Sequence, residues 1–484
     1  VFARSVTRVI PALLTVLALG TAPWFFAADA AAQWTPDPGV MDEIFSEWDQ
    51  EGSPGCAVGV YERGELLLAR GYGEANLDWG VPIEPSTVFY SGSVSKQFAA
   101  ATAALLHLQG KLDLDDEVRS YIPELPAYET PITVRQLVHH TSGVRDIYGL
   151  ISLSGGRTAD AWTDEEYLEL IAAQRTLNFP AGSRYLYSNG GYYLLTTVIE
   201  RVTGQRLDEA ARELIFNPLE MDDTHFHQES TRIVPRRAMS YGGNHDDGFR
   251  QTYMSNFDKS GAGGLYTTIE DMAAWDRNFE TGEVGGDAFL ELIHTRGVLS
   301  SGDTLSYAFG LQRGEADGRP TVGHGGSFMG FRADFVRYPE EGLSVAALCN
   351  LGGINPGPLT REMALATLGQ LEVDEDEGAA DQDEEAADEE PEALTPPSAA
   401  LRHFAGRYWS DEVGAELEIR WAGAELRLFR PGSTSAQSLD WVEGDRFRSG
   451  GWTLEFEMDE GTVTGLRLDA GRVTNLLYSR VEGS

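Results

Sequence analysis

The sequence is short of lysine, of cysteine and of long apolar runs. Lysine occurs three times in 484 residues, at positions 96, 111 and 259, while arginine supplies the remaining basic charge. Even so, 37 basic residues face 76 acidic ones, and the net charge is −39. Nucleic acid and anionic membrane surfaces repel such a chain, so neither is an expected partner. A saline habitat and an arginine-rich coding bias would both give this balance. The two cysteines, Cys56 and Cys349, stand beside no His or second Cys at metal-ligand spacing, which argues against a zinc site and a cysteine nucleophile. Apolar residues 10–26 follow Arg4 and Arg8, are broken by Pro11 and Pro23, and lead to Ala30-Ala31-Ala32. That pattern predicts a signal peptide over residues 1–32 rather than a retained anchor, and hence an exported, periplasmic or extracellular protein, soluble after cleavage.

A chain of this length exceeds one ordinary domain. Residues 41–49 read as a helix, and CAVGVYERG followed by ELLLARGYG reads as a hairpin turning at Arg63-Gly64. Helical signals then dominate to about residue 215, with further helices over 163–174, 189–202 and 268–279. Strands return at RADFVRY (332–338) and LSVAALC (343–349). Strands from both ends thus make one antiparallel sheet flanked by helices, an α+β fold with a helical insertion. If LSVAALC pairs antiparallel with CAVGV, Cys56 and Cys349 approach each other; a disulfide and two buried thiols are the two outcomes. Residues 371–397 contain an Asp/Glu/Ala run and read as an acidic, disordered linker. From 398 to 484 short alternating strands punctuated by glycine predict a small antiparallel β-barrel, an accessory or substrate-gating domain with no evident catalytic grouping of its own.

Chemistry concentrates at Ser93-Val94-Ser95-Lys96, which opens an Ala- and Leu-rich helix running to Gly110. Positions i and i+3 share a helix face, so Ser93 and Lys96 point into one space near a positive helix end. An amine of lowered pKa there can take the proton of the serine. In a chain that otherwise uses arginine, Lys96 is a cation that can be deprotonated. Two further motifs complete the set. Tyr187-Ser188-Asn189 offers a phenol for proton transfer and an amide for holding a substrate amide. His324-Gly325-Gly326-Ser327, read as a strand start, offers backbone that a substrate can approach closely.

These motifs, in this order, resemble the serine β-lactamase/penicillin-binding-protein superfamily. The Y-S-N and H-G-G versions are similar to the branch holding class C β-lactamases, D-Ala-D-Ala carboxypeptidases, D-aminopeptidases and esterases. The stretches 137–144, 179–204, 217–224, 260–275 and 324–339 carry the likeness as well, over roughly residues 38–370. The resemblance implies a serine hydrolase that forms an acyl-enzyme on Ser93, with Lys96 sharing its proton and Tyr187 acting as general base and acid. It implies that Asn189, His324, Gly325 and Gly326 bind substrate, that the backbone N–H groups of Ser93 and Ser327 form the oxyanion hole, and that neither cofactor nor metal is needed. His324 stands where β-lactamases carry lysine, so less permanent charge is available for a substrate carboxylate. The expected substrate is therefore a D-amino-acid peptide or amide, or a small ester, ahead of a β-lactam. A penicillin-binding sensor without turnover is the non-enzymatic alternative. A metal-dependent hydrolase built on Asp222, Asp223, His225, His227 and His245 lacks a recognised ligand spacing. An α/β-hydrolase is excluded by the absence of G-x-S-x-G.

Overall fold

The strand read from CAVGV and the one read from LSVAALC lie side by side inside a six-stranded antiparallel sheet. Its order is Gln312–Ala316, Arg319–Phe328, Phe331–Tyr338, Leu343–Cys349, Cys56–Glu62, Glu65–Tyr72. The computed structural model describes residue 1 and residues 33–252, 254, 256–370 and 398–482. The signal peptide expected over residues 1–32 (Val1 apart) and the linker expected over 371–397 lie outside the described residues. Both central strands are buried along their whole length, which is why they read as continuous apolar runs rather than alternating ones. Alternate side chains leave on opposite faces. Ala57 and Tyr61 enter the large core under the helices, whereas Val58 and Val60 pack with Met41, Phe45 and Met363 on the other side. In this register Cys56 faces Cys349, and the two form a disulfide.

Ser95–Leu108 is buried on nearly every face, so its run of alanines allows close approach by the neighbouring helices Asn189–Thr203 and Gly286–Ile293. Two readings shift against the structure. The first helix runs Pro38–Ile44 instead of 41–49, because the Asp37 side chain caps the Gly39 N–H at 2.8 Å and Pro38 supplies a preset first turn. The His324-Gly325-Gly326-Ser327 segment lies inside the strand Arg319–Phe328, not at its start. That strand begins earlier, where it pairs with Gln312–Ala316.

Eight C-terminal strands close into a barrel, Gly406–Ser410 pairing with Val473–Arg480. Inward residues such as Leu417, Ile419, Leu454, Leu466 and Tyr478 alternate with outward polar ones. Leu150 and Leu153, from the helix Ile147–Leu153, join this barrel core and so bind the barrel to the helical region. Beside them the buried Arg145 meets Glu412 at 2.5 Å. Among the described residues no helix is long and apolar enough to cross a membrane.

Candidate active site

Ser93 lies in the single 3-10 turn Gly92–Val94 that leads into Ser95–Leu108. Gly92 adopts φ +56°, and a Cβ there would sit 2.6 Å from the Ser327 nitrogen. A Cβ on Gly326 would stand 2.0 Å from the Ser91 carbonyl and 3.1 Å from the Ser93 nitrogen. Both glycines are therefore required for the Ser93 turn and the 319–328 strand to touch through their backbones. This brings the Ser93 and Ser327 main chains together. Since Gln312–Ala316 pairs only as far as Gly323, the strand edge from His324 onward is left facing the cavity.

The Lys96 amine is buried and has three neighbours: the Ala262 carbonyl at 2.6 Å, Asn189 Oδ1 at 2.9 Å and Ser93 Oγ at 3.2 Å. Burial holds its pKa well below the usual lysine range, with Arg472 pushing the same way and Asp146 opposing. The two carbonyl oxygens can only accept, so each takes an N–H group of the amine. The third direction points at the Ser93 hydroxyl, and in the deprotonated amine it carries the lone pair.

Tyr187 lines the cavity beside Ser93 and Asn189. The Lys96 amine is 4.7 Å from its ring centre, and His140 packs against its ring at 4.2 Å. Burial pushes its phenol pKa upward, only partly offset by the Ser93 hydroxyl and by Arg472, so the phenol keeps its proton at neutral pH. Asn189 opens the helix Asn189–Thr203 behind the cap residue Ser188. Its backbone N–H and Nδ2 both donate to Asp146 Oδ2, at 2.9 and 2.8 Å, which turns Oδ1 toward Lys96.

His324 is held by both ring nitrogens. Nδ1 meets the Gly325 carbonyl at 2.6 Å and must carry the proton, so Nε2 accepts from the Tyr307 hydroxyl at 3.1 Å. Burial is the main cause that lowers its pKa to about 4. It is a neutral strand residue, not a cation. Other buried histidines behave alike: burial takes His139 and His227 to about 4 and His225 to about 3. Each folded pKa lies below the unfolded value near 6.5, so the unfolded chain binds more protons between the two. The contribution of these histidines is expected to be full above pH ~6.5 and to fall as pH drops toward ~4, outweighing the opposite contribution of Asp271, whose pKa burial raises to about 6. Urea titrations at pH 7 and pH 5 test this, and a midpoint that does not move between them refutes it.

Seven of the expected site residues, Ser93, Tyr187, Asn189, His324, Gly325, Gly326 and Ser327, line one cavity of about 780 Å³, and Lys96 sits directly behind its wall. Tyr90, Tyr148 and Phe328 form an aromatic side of the same cavity, the two tyrosine rings lying 5.4 and 5.7 Å from that of Phe328. Asp222, Asp223, His225, His227 and His245 are not gathered into one site. Asp223 pairs with Arg236, His225 and His227 pack on Tyr266, and His245 rests on Phe249 in a separate hairpin.

Asp146, Tyr307 and Arg472 escaped the sequence reading. Asp146 follows closely on the 137–144 stretch, and an Asp ahead of an apolar run signals a helix cap, which it is for Ile147–Leu153. Nothing local announces that its other oxygen holds Asn189. Arg472 sits on a two-residue hairpin turn of the barrel, where an arginine looks like any solvated turn residue.

Residues 40–370 match the family model described as Beta-lactamase, and the chain belongs to that family. It is 32% identical over 297 residues to a D-aminopeptidase of Gluconobacter oxydans (strain 621H), covering 61% of this chain and 56% of the relative. The chain thus spans little more than half the length of that relative. Among solved structures it resembles the octameric penicillin-binding protein homologue from Pyrococcus abyssi, with a TM-score of 0.59 and 22% identity over 91% of this chain and 97% of the other. It also resembles the D-amino acid amidase from Ochrobactrum anthropi SV3 complexed with L-phenylalanine, with a TM-score of 0.57 and 22% identity over 69% and 99%. At these identities the two structures speak for the fold alone.

Proposed function

We propose that the protein is a serine hydrolase that is acylated on Ser93 and cleaves amide bonds of D-amino-acid peptides or amides. The observation that carries this reading is the buried Lys96 amine, held by two carbonyl oxygens so that its third direction, where the deprotonated amine carries its lone pair, points at the Ser93 hydroxyl. In the first step Ser93 Oγ bonds to the substrate carbonyl carbon while its proton passes to Lys96. The oxyanion that forms lies between the N–H groups of Ser93 and Ser327. Tyr187, which burial keeps protonated, gives its proton to the departing nitrogen and regains one through Lys96. Water then releases the acyl group by the same route reversed. Asn189 contributes twice, holding Lys96 through Oδ1 and presenting what is left of its amide to the substrate.

A D-amino-acid substrate is supported by the D-aminopeptidase relative, and the aromatic wall of Tyr90, Tyr148 and Phe328 suits an apolar side chain on it. The neutral, doubly bonded His324 weighs against efficient β-lactam hydrolysis, for which a fixed cation at that position would be favourable. Export through residues 1–32 is part of the same proposal; the disulfide fits an oxidising compartment. A fluorophosphonate probe followed by mass spectrometry tests the nucleophile. An adduct on Ser93 that disappears in Ser93→Ala is the expected result, and labelling that persists in that variant refutes it. Dipeptides differing only in the handedness of the first residue test the substrate class, with the D-form turned over faster.

A further inference from the structure

The cavity has little free positive charge from the hydrolase portion of the chain. His324 is neutral with both nitrogens engaged, and the Lys96 amine is buried among Ala262, Asn189 and Ser93. Two guanidinium groups line the same space, Arg332 and Arg472. Arg332 is turned back on its own loop, its Nη1 donating to the Met329 and Phe331 carbonyls at 3.0 and 2.8 Å.

Arg472 differs in where it comes from and how it is held. It occupies the turn between the barrel strands Thr462–Ala470 and Val473–Arg480, and that turn is seated on the helical region by its backbone. The Arg472 carbonyl accepts from Asn178 Nδ2 at 2.9 Å and from the Asp146 N–H at 3.3 Å, while the Thr474 N–H donates to Asn178 Oδ1 at 2.7 Å. Arg145 donates to the carbonyls of Thr474 and Asn475, at 3.1 and 2.9 Å. Gly149 leaves the room that Val473 fills: a Cβ there would lie 2.7 Å from its methyl. A fixed hairpin thus presents the side chain.

The guanidinium carbon stands 5.4 Å from the centre of the Tyr187 ring, and Nη2 lies 3.5 Å from Asp146 Oδ2. Asp146 already accepts from the N–H groups of Tyr148, Gly149 and Asn189 and from Asn189 Nδ2. It orients one edge of the guanidinium and, among the described residues, is the only ion-pair partner of Arg472. The side chain is 41% exposed, on the cavity side. A planar fork held along one edge and open along another is the arrangement that receives a carboxylate through paired hydrogen bonds.

We propose that Arg472, carried into the cavity by the C-terminal barrel, recognises a free carboxylate on the leaving side of the scissile amide. The barrel thereby selects peptides whose departing residue is a free acid. This rests on the assignment of Ser93 as nucleophile. The leaving side follows from Tyr187, which gives its proton to the departing nitrogen and over which Arg472 stands. The carboxyl carbon of a one-residue leaving group is two bonds from that nitrogen, within reach of the guanidinium.

The test compares one D-alanyl dipeptide as its C-terminal free acid and as its C-terminal amide. The full-length enzyme should favour the acid by about 10- to 100-fold in kcat/KM, the worth of a hydrogen-bonded charge pair. In Arg472→Gln the ratio should fall toward one, with the loss in KM for the acid, and in Arg332→Gln it should persist. Arg472→Lys, which keeps the charge but not the fork, should give an intermediate ratio. Equal rates for acid and amide in the unaltered enzyme overturn the proposal, as does a preference that survives Arg472→Gln or is lost in Arg332→Gln instead. Labelling of Ser93 by an uncharged fluorophosphonate reports that each variant is folded. Should Arg472→Gln fail that check, the unaltered enzyme and Arg472→Lys still decide. Failure of the nucleophile assignment looks different: no Ser93 adduct and no turnover of either dipeptide.

Discussion

Lys96→Arg is expected to be as damaging as Lys96→Ala, each slowing fluorophosphonate labelling of Ser93 by about 10²- to 10⁴-fold. The reason is the distribution of hydrogen bonds around the amine. Asn189 Oδ1 and the Ala262 carbonyl leave one direction toward Ser93, and only a group able to lose its proton offers a lone pair there. Arginine keeps its charge at every accessible pH and has no such lone pair. If Lys96 acted only as a cation, arginine would retain most of the activity. Labelling rates of the two variants, with circular dichroism to show that both are folded, separate the cases. A Lys96→Arg enzyme within about tenfold of the unaltered rate contradicts the base assignment.

The second large effect is expected at the seam between barrel and helices. Arg145 and Glu412 have side chains only 1% and 7% exposed, and removing one member leaves a buried charge without its partner. Glu412→Leu should cost about 3–5 kcal/mol of stability, measured by urea denaturation, since desolvation of the remaining arginine is no longer compensated. Arg145→Leu should cost at least as much, because Arg145 also bonds Gln174, Thr176 and the Thr474 and Asn475 carbonyls. The double variant should be less destabilised than the sum of the two, as expected for groups in direct contact. Strict additivity, or a Glu412→Leu cost below about 1 kcal/mol, contradicts this account of the seam.

The sheet was legible because its central strands are apolar throughout and the turns between them carry their own signals. Arg63-Gly64, for example, adopts φ values of +50° and +82°. The two cysteines could be brought near each other from strand order alone, but whether they bond depends on register, and a slip of one residue would have turned them to opposite faces. Among the residues of the candidate site, those in short motifs could be found because spacing along a helix or strand fixes which side chains share a face. Asp146 and Arg472 could not. Each acts through a partner distant in sequence, Asn189 for one and the whole docked barrel for the other. The barrel sequence carries no sign of chemistry because the residue it brings to the cavity, Arg472, sits on a turn whose surroundings belong to another part of the chain. Within the proposed mechanism, the burial that raises the Tyr187 pKa and lowers that of Lys96 suits the phenol to giving a proton and the amine to accepting one.

The pairing of Cys56–Glu62 with Leu343–Cys349 joins segments whose cysteines lie 293 residues apart in sequence. Ribosomal synthesis delivers one of these strands long before the other, and until the second arrives the first has one hydrogen-bonding edge open. The whole helical region, Ser93 and Lys96 included, emerges during that interval without a finished sheet to pack on. Long-range pairings of this kind are slow to form, because loop closure comes before any return from contact. Chains stopped anywhere before residue 343 should therefore be prone to edge-to-edge association. Such fragments are poor material for dissecting the catalytic groups, and point substitutions in the complete chain are the better instrument.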